Sequence, residues 1–134
     1  MTIPQKTGVT HRVGNITLWV LQAVVAGFFL MSAMTKFSNA EPAASTFAAI
    51  GWGDWFRNLV GVLETAGVVA LFVPPLAGAA GLAFVVLMVC ATLTEQFVSG
   101  GGVVLPLALL ALSAVIAWGR RASTARLWAR ITPA

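Results

Sequence analysis

Four long apolar runs, at residues 16–34, 59–73, 76–93 and 103–118, leave this chain few ways to fold. A helix needs roughly 17 to 25 apolar residues to cross about 30 Å of hydrocarbon, and each run is near that length. The chain is 59% hydrophobic and 9% charged, with a mean hydropathy of +0.92, so no polar region remains from which to build a water-soluble domain. The runs are apolar on all sides, unlike the alternating strands of an outer-membrane barrel. The expectation is therefore all-α: an integral membrane four-transmembrane-helix bundle, one domain over 1–134, with helices at about 16–36, 58–73, 76–95 and 103–119. The second is the shortest, and has to take Trp55 and Phe56 from its flank, tilt little, or thin the bilayer. The first follows a polar leader and reaches Met34, Thr35 and Lys36 without a small-x-small cleavage signal, so it reads as a retained span.

Between the first two runs, Glu41 and Pro42 suit the first turn of a short helix, Ala43, Ala44, Phe47 and Ile50 recur at helical spacing, and Gly51 and Gly53 stop it. This predicts a short interfacial helix at about 41–50. Trp52, Trp55 and Phe56 then form an aromatic belt on one side of the membrane, with Trp19 and Trp118 as counterparts on the other. Six of the eight basic residues lie at the termini: Lys6, Arg12, Arg120, Arg121, Arg126 and Arg130. By the positive-inside rule this predicts a multi-pass protein of the cytoplasmic (inner) membrane with both termini cytoplasmic. The pI of 10.8 reflects the same asymmetry and does not point to nucleic acid, because no reading motif is interleaved with the basic residues. Residues 120–130, with Leu127 and Trp128, read as a short amphipathic tail on the anionic inner leaflet.

Against this background, Lys36, Glu64 and Glu95 stand out. An ionisable group near lipid costs roughly 2.5 to 3.5 kcal/mol, so such groups face the bundle interior, pair with one another, and mark where a membrane protein works. Antiparallel threading puts all three in the same half of the bundle, with Glu64 flanked by Gly61 and Gly67 on a close-packing face, Lys36 sharing its face with Ser32, and Glu95 sharing its face with Thr92, a hydroxyl partner. Two arrangements are open. One is a structural Lys36–Glu64 ion pair with Glu95 wetted at a helix end; the other is a polar pocket that takes a head group or relays a proton. Cys90 reads as a small packing residue, and as the one cysteine it excludes an intramolecular disulfide and a Cys-x-x-Cys pair. His11 reads as a solvated leader residue; as the one histidine it rules out bis-histidine haem within one chain, and no metal site is expected. The Gly100, Gly101 and Gly102 turn lacks the Lys and Ser or Thr of a phosphate loop.

The run Gly27-Phe28-Phe29-Leu30-Met31-Ser32-Ala33-Met34-Thr35-Lys36-Phe37, then Phe47-Ala48-Ala49-Ile50-Gly51-Trp52, then Gly61-Val62-Leu63-Glu64-Thr65-Ala66-Gly67, resembles the DoxX family of small four-helix membrane proteins over about residues 18–121. The matching family positions are the lysine ending helix one, here Lys36, and the glutamate early in helix two, here Glu64. Many members carry a histidine near the end of helix three, where this chain has Thr94, Glu95 and Gln96; the resemblance therefore implies no histidine-dependent metal or proton chemistry here. It implies a membrane subunit or scaffold of an oxidoreductase-type or other membrane complex. Such a subunit has no cofactor of its own but a bound quinone or isoprenoid lipid at the pocket, with Lys36, Glu64, Ser32 and Thr92 as the candidate binding residues. Its partners would be the bilayer and a protein partner or a second copy of the chain. The alternative is a small membrane enzyme or carrier for a hydrophobic molecule, with Glu64 or Glu95 as acid or base and Lys36 tuning it.

Overall fold

The computed structural model describes residues 3–41 and 43–131, with side chains from residue 12 onward. The expectations for Lys6, His11 and Pro42 fall on side chains outside this set. Every element is helical: α1 Ile3–Ser38, α2 Ala43–Ile50, α3 Asp54–Leu71, α4 Ala77–Thr94, α5 Val104–Gly119 and α6 Arg121–Ile131. A 3-10 turn, Pro74–Leu76, leads into α4, and a π-helical turn, Glu95–Ser99, leaves it. α1 begins well before the apolar run, because nothing between Pro4, tolerated in a first turn, and residue 16 stops a helix. It ends at Asn39, which adopts the left-handed conformation with φ 54°; the amide of Ala40 donates back to the Thr35 carbonyl at 2.9 Å, closing a Schellman-type cap.

α1 (Arg12–Ser38) and the segment Pro74–Ser99 are each long and apolar enough to cross a membrane; α5 and α6, bent by 65° at their junction, make a third candidate if taken as one span. α3 does not qualify by itself, because Asp54, Arg57 and Glu64 all fall within its 18 residues. α5 alone has 16 residues.

α1, α3, α4 and α5 pack antiparallel in sequence order and close back on α1. Their shared core holds Val25, Phe29, Leu71, Phe84, Met88 and Ile116, all buried. Phe29 and Phe84 stack with ring centroids 3.8 Å apart, and Gly67 lies flat against the Phe84 ring, where a Cβ would collide. Gly81 brings α4 onto the α5 backbone, its missing Cβ lying 2.9 Å from the Ala117 nitrogen. Small residues thus set the close approaches, as in membrane bundles. The outside is apolar: Val20, Met31, Val62, Val69, Val86 and Leu105 are each more than half exposed. The total accessible surface, 8364 Å², exceeds the about 6,700 Å² that a compact soluble chain of this mass would show. A surface this apolar is at rest against lipid, not water.

Candidate functional site

The close approach of α1 to α3 builds the site. At Gly61 an added Cβ would sit 3.0 Å from the Phe37 ring and 3.4 Å from the Lys36 Cβ, so the glycine leaves room for these two side chains against α3. One turn on, Glu64 is 1% exposed and its Oε1 lies 2.7 Å from Lys36 Nζ, itself only 12% exposed. The ammonium also donates to Ser32 Oγ at 2.6 Å and stands 5.8 Å from the centre of the Phe47 ring. Lys36 therefore joins three helices: its own, α3 through Glu64, and α2 through Phe47.

This ion pair lies on the wall of a cavity of about 210 Å³. α2 contributes Ala43, Thr46, Phe47 and Ile50, α4 contributes Met88, Ala91 and Thr94, and α5 contributes Leu105, Pro106 and Leu109. Most of the wall is hydrocarbon, with the charged pair and Glu95 as its charged points and Ser32, Thr35, Thr46 and Thr94 adding hydroxyls. Glu95 is half-buried and accepts a hydrogen bond from Thr46 Oγ1 at 3.3 Å, tying the π-helical turn to α2. Its carboxylate lies against Gly101, where any Cβ would overlap Oε2, so the glycine turn is shaped around this side chain. Among the described residues no group of three His, Cys, Asp or Glu side chains is placed to hold a metal.

Lys36, Glu64, Glu95 and Ser32 thus meet around one cavity. Lys36 and Glu64 pair, whereas Glu95 stands beyond ion-pair distance of Lys36. Thr92 does not belong: it points along its own helix and donates to the Met88 carbonyl at 2.8 Å. The hydroxyl that Glu95 uses is Thr46, some fifty positions away and beyond the reach of a spacing argument. Cys90 is corrected as well. It is exposed, not packed, and forms part of the cavity rim.

Residues 20–116 match the sequence profile of the DoxX-like family. The chain belongs to the DoxX-like family. No curated protein and no solved structure matches it. The family match takes in every residue of the Lys36–Glu64 cavity, from Ser32 to Leu109.

Two further polar groups hold this DoxX-like bundle together, and neither was singled out in the sequence. Arg57 is buried, donating from Nε to the Lys36 carbonyl at 2.6 Å and from Nη1 to Asp54 Oδ1 at 2.6 Å, so it caps the end of α1 just behind the ion pair. Its i,i+3 spacing from Asp54 was a readable signal. At the opposite end, fully buried Gln22 donates to the Leu71 carbonyl at 2.6 Å and accepts from Arg120 Nε at 2.8 Å. An amide alone on an apolar helix face was the available hint, since such a group must find a partner inside the bundle.

Proposed function

We propose that this chain is a four-span membrane subunit, both termini cytoplasmic, that binds the ring or head group of a quinone or other isoprenoid lipid in the Lys36–Glu64 cavity and presents it to a partner enzyme. The observation that carries the reading is the cavity: largely apolar walls enclose one buried ion pair, with membrane-facing surface around it. An apolar slot with a few fixed polar points is the usual form of a small-molecule site. Its 210 Å³ is below the roughly 300–1,000 Å³ of a site that takes a whole drug-sized molecule, so it suits a single ring whose tail stays in lipid. Lys36 is the donor for a ring carbonyl, and Glu64 holds the ammonium in place for it. A subunit role suits a chain with little mass outside its helices among the described residues.

Acid–base catalysis by Glu64 has less support, since a carboxylate held 2.7 Å from an ammonium is already committed. The test is native mass spectrometry of the protein extracted with its own lipids. A quinone or isoprenoid adduct at one per chain, lost in Ala91→Phe, which fills the cavity, supports the reading. Retention of bulk phospholipid alone, with no quinone and no partner protein, refutes it.

A further inference from the structure

A second cavity, of about 510 Å³, lies at the other end of the bundle, between Asn15, Trp19 and Gln22 of α1, the Pro74 turn, and Arg120 and Arg126 at and after the α5–α6 bend. The volume is within the range of small-molecule sites. Most of its α1 and α6 wall lies outside the span matched to the family.

Arg120 is its centre. Nε donates to Gln22 Oε1 at 2.8 Å and Nη1 to Asn15 Oδ1 at 2.7 Å, while the guanidinium carbon stands 5.5 Å from the centre of the Trp19 ring. Both hydrogen-bond partners are neutral amides, and Nη2, shielded from solvent, has no hydrogen-bond partner. The chain has four acidic side chains, and all four are engaged elsewhere: Glu64 with Lys36, Asp54 with Arg57, Glu95 with Thr46 and Glu41 with Ser45. None lines this cavity, whereas a second guanidinium, Arg126, does. Two cations face a roomy site without a carboxylate between them, and a half-buried charge without a counterion is costly. The fork of a guanidinium matches the oxygens of phosphate, and the two amides already fix the Arg120 plane.

We propose that this cavity binds a phosphate-bearing anion, held between Arg120 and Arg126 and supplied either free or as a phospholipid head group. Full-length protein in phosphatidylcholine nanodiscs is titrated with inorganic phosphate, with chloride at matched ionic strength as the control for general screening. A parallel series raises the phosphatidylglycerol content of the nanodisc. Unfolding temperature is followed in both, and native mass spectrometry counts retained anionic lipid. The expected result is a saturable rise in unfolding temperature at one site per chain. Phosphate alone reproducing it identifies a free anion, and a response confined to phosphatidylglycerol identifies the lipid. Arg120→Gln also unties α5 from α1, so the deciding variant is Arg126→Gln at an exposed position, which weakens binding about tenfold or more, the scale of one charge-assisted hydrogen bond. No saturable response to either ligand, or an unchanged response in Arg126→Gln, overturns the proposal.

Discussion

Breaking the Lys36–Glu64 pair from either side should cost more than removing both partners together. Glu64 is 1% exposed and meets one cation, at 2.7 Å. Lys36→Met leaves that carboxylate in a poorly solvated site with no counterion, a loss of about 3 to 5 kcal/mol for a fully buried pair. Glu64→Gln is milder, near the lower end of that range, because the ammonium keeps Ser32 Oγ at 2.6 Å, the Phe47 ring face and its place on the cavity wall. For a chain of this length a loss of about 3 kcal/mol corresponds to on the order of 10 °C in unfolding temperature. The double variant keeps similar volume and hides no unpaired charge, so it should fall below the sum of the single losses by about 2 kcal/mol or more. Detergent or nanodisc unfolding of all four proteins measures the cycle. Losses that add within about 0.5 kcal/mol would refute the reasoning, since they would mean that the two charges are solvated independently.

In intact cells, with Cys90→Ala as background, an impermeant maleimide should label a cysteine at exposed Ser45 and not one at exposed Ala129; the reverse pattern would invert the proposed orientation. Gly81→Ala, whose Cβ would sit 2.9 Å from the Ala117 nitrogen, should destabilise by about 1 to 3 kcal/mol. Gly27→Ala, with nothing within 4 Å, should be neutral or stabilising by up to about 1 kcal/mol; equal unfolding temperatures for the two would mean that α4 and α5 are not packed this closely. Arg57→Ala strips a partner from the Lys36 carbonyl and should cost about 1 to 3 kcal/mol, whereas Asp54→Ala, at an 83% exposed carboxylate, should stay within about 1 kcal/mol. Comparable losses for the two would assign the stabilisation to the ion pair instead of the carbonyl cap.

The family and the helical class were legible because both rest on local pattern: long apolar runs, and the spacing of Lys36, Gly61, Glu64 and Gly67 within two segments. Lys36, Ser32 and Glu64 could be placed together from sequence because helical periodicity and antiparallel threading fix which residues share a level. Thr46 could not, since its approach to Glu95 depends on how α2 folds back over the cavity, and no periodicity spans that loop. Thr92 was misread for the reciprocal reason. A threonine in an apolar helix can bond to its own backbone one turn back, and here it does so. Helix ends moved where a glycine turn and not hydropathy set the boundary: α3 starts at Asp54, after Gly53 with φ 96°, so it takes in two aromatic residues and an Arg–Asp pair that the apolar run excludes.

α3 is also the helix on which the proposed four-span topology depends energetically. Three charges in one helix, at roughly 2.5 to 3.5 kcal/mol each near the bilayer centre, would keep it out of the membrane if it entered alone. The fold removes that penalty in two ways. Asp54 and Arg57 lie in the first turn, where Asp54 is 83% exposed, so in that proposal their pair belongs with Trp52 and Trp55 at the interface and not in hydrocarbon. Glu64, the one charge deep in the helix, meets Lys36 across the Gly61 contact. The partner comes from α1, which is apolar enough to span by itself, so in that proposal α3 enters against a helix already in place. In the four-span proposal, the pair that lines the cavity is also what lets α3 enter as the second span.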